Sequence, residues 1–222
     1  MARKKNTVDL DVERGIAPGL VAKTKKRLVV ASGSSHPALS EEVALHLGTE
    51  LVPTEHRTFA SGEILTRFEV SIRGCDAFII QSFGPPVNEW LMELLIMLDA
   101  AKRASAKRIT VVAPYYPYSR QDKKGRGREP ISARLVADLL KTAGADRVMS
   151  VDLHAAQIQG FFDGPVDHLF AMPVLLEHFQ ARLDPSTLTV VSPDMGRVRV
   201  ADIWSDKLGA PLAIIHKRRD PL

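Results

Sequence analysis

The sequence predicts an α/β fold of mainly parallel sheets with helices on both faces. Three observations carry this expectation. Short β-branched runs alternate with apolar-periodic stretches of crossover length. The run 107–113 reads, after Lys107 and Arg108, as a mostly apolar Ile-Thr-Val-Val-Ala stretch without alternation, as in a strand buried on both faces. Two runs end in Ser-Gly or Pro-Asp turns immediately before a helix signal, which puts loops with ligand-binding chemistry at the carboxyl ends of strands.

In chain order, 27–31 is a strand that runs into Ser32-Gly33-Ser34-Ser35, and Pro37 opens a helix with Leu39, Val43 and Leu47 on one side. Strands are expected at 50–53, 64–70 and 77–81, the middle one alternating as a half-exposed strand does. The segment 86–103 is the strongest helix pattern, with Leu91, Leu94, Leu95, Leu98 and Ala101 on one side. A strand at 107–113, a helix at 131–142 stopped by Gly144, and a strand at 146–151 follow. The pattern then continues with helix 173–183, strand 188–192, helix 197–208 and strand 211–215.

This order divides the chain into an extension at 1–26 without sustained periodicity, a domain at 27–170, and the start of a second domain at 171–222. Only two strands of the second domain are expected, too few to bury the apolar faces of its helices, so it reads as incomplete.

The chain has 222 residues, 45% of them hydrophobic and 25% charged, and no apolar run long enough to span a bilayer. Its one cysteine, Cys75, forbids an intrachain disulfide, and a cytoplasmic location is expected. The net charge of +4 comes with basic residues in three local groups, at 23–27, 120–128 and 217–219. Separate groups suit a small polyphosphate ligand at least as well as a duplex, so nucleic acid is not expected as a partner, and without a spanning apolar run neither is a membrane.

Four constellations carry chemistry. Val151-Asp152-Leu153-His154 places a carboxylate and an imidazole two positions apart, on one face if the strand continues. An ordinary strand-end histidine is the plain alternative. Asp194, in Pro193-Asp194-Met195-Gly196, sits in a second strand-to-helix turn, where it could face a cation or simply cap the helix. The stretch from Tyr116 through Ser119-Arg120-Gln121-Asp122 to Lys124 combines aromatics with cations and could hold a nucleotide, or be a solvated turn. His216-Lys217-Arg218-Arg219 follows a strand and could stabilise a transferring phosphoryl group, although basic surface residues are common. No Gly-x-x-x-x-Gly-Lys-Ser/Thr loop is present, which disfavours a P-loop kinase.

Taken in order, these segments resemble the ribose-phosphate pyrophosphokinase (phosphoribosyl diphosphate synthase) family from about Arg27 onward. The most specific stretches are Tyr118 to Lys124, Val151 to His154, Gln157 to Asp163, Val191 to Asp194, and His216-Lys217-Arg218. The resemblance implies a type I phosphoribosyltransferase-like fold of two related domains. It also implies transfer of the diphosphoryl group of Mg-ATP to the 1-hydroxyl of ribose 5-phosphate, giving AMP and phosphoribosyl diphosphate.

By the same resemblance Arg120 and Gln121 match the ATP loop, and the segment containing Phe59, Ser61 and Glu63 matches a flag that reaches a neighbouring subunit's adenine. His154 and Asp194 match the Mg²⁺ site, with Asp152, Asp163 and Asp167 as carboxylates grouped with it. Lys217 and Arg219 match the catalytic cations. Ser71, Arg73, Lys124, Arg128 and Gln159 match the regulatory phosphate or ADP site, and a homo-oligomer, hexameric in the family, is implied. Two departures stand out: Ser61 replaces the usual Asp or Asn, and nothing matches the family's Asp-Asp-x-x-x-Thr-x-Gly-Thr loop for the sugar phosphate. Low activity of these residues alone is therefore expected. The alternative is a non-catalytic regulatory subunit of a synthase oligomer.

Overall fold

The computed structural model describes residues 27–216, which form two compact units dividing between Leu169 and Phe170. Strand β1 (Leu28–Ser32) opens the first unit and leads into helix α1 (Pro37–His46). An antiparallel hairpin of β2 (Thr54–Thr58) and β3 (Ile64–Phe68) follows. Then come β4 (Asp76–Ile80), α2 (Val87–Arg103), β5 (Arg108–Ala113), α3 (Ser132–Ala143), β6 (Arg147–Val151) and β7 (Val166–Leu169).

Strands β1, β4, β5, β6 and β7 lie side by side in that order, every pair parallel. Each strand after β1 is added on the same side, so right-handed crossovers place α2 and α3 on one face. These two helices do pack on each other. After α1 the chain returns to the opposite edge of β1, where Leu51 makes a parallel bridge to Val30, and the same handedness puts α1 on the other face.

The core is what the apolar periodicity implies. Ile79, Val111 and Val148 from the sheet meet Leu94, Met97, Leu98 and Ala101 of α2 and Val136, Ala137 and Leu140 of α3. Each fully buried Leu or Met there contributes about 1.5–3 kcal/mol relative to an exposed one.

Two expectations change. The stretch expected as a strand at 50–53 holds only the isolated bridge of Leu51, and the regular strand begins at Thr54. The sequence Thr-Glu-His-Arg-Thr is polar because the hairpin is half exposed, so its partner β3 holds it rather than an apolar face. Strand β7 gives no apolar signal because it is short and at the edge of the sheet.

The second unit contains α4 (Met172–Gln180), β8 (Val190–Ser192), α5 (Val198–Leu208) and β9 (Leu212–Ile214). Strands β8 and β9 are parallel, and Phe179 of α4 meets Trp204 of α5 edge to face. Val174, Leu175, Val191, Val200, Ile203 and Ile214 remain exposed, as a two-stranded sheet must leave them.

Candidate active site at the strand ends

The loop after β5 is pinned from below and open above. Tyr116 is buried and its hydroxyl donates to the Ala133 carbonyl (3.0 Å). Burial pushes that phenol far above its usual range, with Asp138 adding to the effect. The Gln121 amide donates to the Tyr118 carbonyl (2.9 Å), and Ala133 N donates back to Gln121 O (3.1 Å). The Ser132 hydroxyl donates to Gln121 Oε1 (2.5 Å), while buried Asp122 accepts Gln157 Nε2 (2.6 Å). Arg120, Lys123 and Lys124 are left exposed, so the loop presents cations outward on a rigid base.

At the end of β6 the geometry differs from the extended strand expected for 151–154. The strand stops at Val151, and Asp152 turns into the left-handed region with φ +47. Asp152 and His154 therefore do not leave a continuous strand on one face. The turn is held from β7: Asp152 N donates to the Leu169 carbonyl (2.9 Å), and Leu153 N donates to His168 Nε2 (3.0 Å). Accepting there requires His168 to carry its hydrogen on Nδ1. Sequence reasoning missed His168, whose only signal is its place one residue after Asp167.

His154, Asp152 and Asp163 are exposed. Asp167 faces Arg147, whose Nη1 reaches both carboxylate oxygens (3.1 and 2.9 Å). Among the described residues no three His, Cys, Asp or Glu side chains gather closely enough to hold a metal ion by themselves. In the second unit, Asp194 accepts Gly196 N (2.9 Å), and its carbonyl accepts the Ser192 hydroxyl (2.8 Å), so it has the capping geometry weighed as its alternative role.

Phe59, Ser61 and Glu63 form the tip between β2 and β3. Phe59 N donates to Glu63 O (2.8 Å) and Gly62 N to Phe59 O (2.8 Å), with Gly62 at φ +88, a conformation that favours glycine. The Ser61 hydroxyl donates to Glu63 Oε2 (2.9 Å), and Arg57 lies over the Phe59 ring, 5.1 Å from its centroid. All three side chains are exposed.

Ser71 and Arg73 are exposed before β4, and Lys124 and Arg128 are exposed beyond β5. Between the latter, Glu129 Oε2 accepts Gly125 N (2.7 Å) and Arg126 N (2.9 Å). Gln159 Nε2 donates to the Ala156 carbonyl (3.1 Å) in the 3₁₀ turn Ala156–Gly160. The Asp122–Gln157 bond ties that turn to the β5 loop. Lys217, Arg219 and the extension at 1–26 lie outside the described residues.

Loops bearing exposed cations and carboxylates leave the carboxyl ends of a parallel sheet, which makes this an α/β domain of the kind that places ligands at its strand tips. The family model described as the N-terminal domain of ribose phosphate pyrophosphokinase matches residues 28–144, and the chain belongs to that family. It is 63% identical over 202 residues to a protein of Streptomyces coelicolor named ribose-phosphate pyrophosphokinase, covering 91% of this chain and 62% of that protein. A Mycobacterium bovis protein of the same name is 60% identical over 198 residues, covering 89% of this chain and 61% of its own length. The crystal structure of phosphoribosylpyrophosphate synthetase from Mycobacterium smegmatis superposes with a TM-score of 0.81 at 60% identity, covering 88% of this chain and 66% of that one. The chain thus spans about three fifths of the length of the curated relatives it matches.

Proposed function

We propose that this chain is the ATP-binding part of a ribose-phosphate diphosphokinase, which moves the β,γ-diphosphoryl group of Mg-ATP to the 1-hydroxyl of ribose 5-phosphate. The observation that carries the reading is the β5 loop: buried Asp122 fixes it from beneath, Ser132 engages the exposed Gln121 side chain, and Arg120, Lys123 and Lys124 are exposed toward phosphate oxygens. In this reading Arg120 and Gln121 hold ATP, and Phe59, Ser61 and Glu63 meet an adenine, that of a neighbouring copy in a homo-oligomer.

Mg²⁺ fits this donor set. The ion keeps most of its waters and takes one or two protein groups plus phosphate oxygens, so no all-protein cage is required of these residues. In the first unit His154 would hold it, with Asp152 and Asp163 as further carboxylates; Asp167 is occupied by Arg147, and Asp194 of the second unit is proposed as a ligand from the family resemblance alone. When bound, the ion supplies charge neutralisation on the triphosphate. Lys217 and Arg219 would stabilise charge on the transferring group, and Ser71, Arg73, Lys124, Arg128 and Gln159 would receive phosphate or ADP as effector.

AMP formation from ATP and ribose 5-phosphate with Mg²⁺ tests the activity. We infer little turnover for these 222 residues, which hold no match to the sugar-phosphate loop. Mg-ATP binding that is weakened about tenfold by Arg120→Ala is the expected sign of the nucleotide site. Unchanged binding in that variant would overturn the reading.

A further inference from the structure

Arg120 is exposed, yet the residues just before it are closely held. Tyr118, two positions earlier, sits in the left-handed region with φ +57. Residues with a Cβ rarely adopt that conformation, because the Cβ crowds the following carbonyl oxygen. A tyrosine stays there only where its surroundings over-determine it, and such residues gather at sites that must be preorganised.

Tyr118 is held at the ring, the backbone and the hydroxyl. Its ring packs, partly buried, against the core of the first unit. Its carbonyl accepts Gln121 N (2.9 Å), which closes the turn through Ser119 and Arg120. Its hydroxyl donates to Oδ1 of Asn88, a residue in the first turn of α2. Ser119 is 1% exposed, so a buried step comes directly before the exposed guanidinium.

Asn88 is itself exposed, and its place comes from the helix that carries it. Helix α2 turns Leu94, Met97, Leu98 and Ala101 into the core, each 0% exposed. A side chain on so well anchored an element is a more precise support than one on a loop. The bond from Tyr118 ties the start of α2 to the loop after β5, across 30 positions of sequence. Without it the ring loses its outer restraint, and the left-handed backbone at its base is freer to relax. The turn closed by Gln121 N then opens, and Arg120 moves with it.

We infer that Asn88 is a positioning residue for the nucleotide loop: by accepting the Tyr118 hydroxyl it locks the left-handed turn from which Arg120 is presented. The consequence for affinity rests on the reading above that Arg120 meets ATP phosphates; the tether itself does not.

Amide exchange of Gln121, measured on the 222-residue chain without nucleotide, tests the tether, and the Leu98 amide in the middle of α2 reports whether the fold is intact. Asn88→Ala and Tyr118→Phe each remove one partner, so Gln121 exchange is expected to rise about fivefold in both while Leu98 exchange stays unchanged. Asn88→Asp keeps an acceptor at the same place and should keep Gln121 exchange slow. Mg-ATP affinity should fall about fivefold in Asn88→Ala and in Tyr118→Phe. In the double variant it should again fall about fivefold, not about twenty-five-fold, because the two residues share one bond. Slow Gln121 exchange in either single variant, exchange as fast in Asn88→Asp as in Asn88→Ala, a rise that extends to Leu98, or multiplied losses in the double variant would each overturn the inference. Faster Gln121 exchange with constant Mg-ATP affinity would uphold the tether and overturn the placing of ATP phosphates on Arg120.

Discussion

Gln81 stands so close to Gly33 that a Cβ built on the glycine would lie 2.2 Å from Gln81 Oε1. The amide cannot swing away cheaply. Gln81 is 1% exposed, and its Nε2 is held by the Trp90 carbonyl and Glu93 while Oε1 accepts the Ser35 hydroxyl at 2.6 Å. Gly33→Ala should therefore destabilise the first unit by about 1–3 kcal/mol, as overpacking of a well-filled core does. Urea denaturation measures this, and an unchanged midpoint would show that the cluster is looser than its geometry.

His168 should matter to the loop carrying Asp152 and His154. Replacing it by alanine leaves the Leu153 N–H without its acceptor, at an expected cost of about 1–2 kcal/mol. Faster amide exchange confined to the turn after β6 is the signature. Equal exchange in His168→Ala and the unmodified chain would remove His168 from its supporting role.

Alkaline titration should separate one tyrosine from the others. The chain has three tyrosines, and burial, then Asp138, raises the ionisation of Tyr116 far above its usual range. An acid whose folded pKa is raised stabilises the fold fully below its unfolded value, about 10 for tyrosine, and that contribution is lost as pH climbs above it. The phenolate absorbance of Tyr116 should appear only with unfolding, and Tyr116→Phe should delete that late step. A single smooth transition of all three tyrosines in the folded chain would contradict this.

Ser61 offers a single hydroxyl, which it gives to Glu63. Ser61→Asn keeps a donor for Glu63 and adds an acceptor for an amino group on adenine. Mg-ATP binding should tighten about threefold. Calorimetric titration decides, and weaker binding would place the adenine elsewhere.

The main sheet and its two large helices were legible because their residues are apolar with the right period: Val111 and Val148 in strands, Leu94 and Leu98 on α2. The hairpin was half legible. Its second strand shows alternation, but Thr54 to Thr58 has almost no apolar signal, since partner hydrogen bonds hold it. Asn88 could not be singled out: its partner Tyr118 is 30 positions away, and only folding brings the two together. Asp152 and His154 were recognisable as residues but not in their geometry, because the left-handed turn at Asp152 depends on β7. The β5 loop was readable as a cationic segment, while the buried Asp122–Gln157 bond beneath it was not.

The strand order β1-β4-β5-β6-β7 has a consequence for how the chain is made. Every newly synthesised strand of the main sheet finds its neighbour already emerged, and none has to wait for a distant segment to be inserted between strands already paired. Assembly of the first unit can thus keep pace with the ribosome, strand by strand, before the residues after Leu169 have left the exit tunnel.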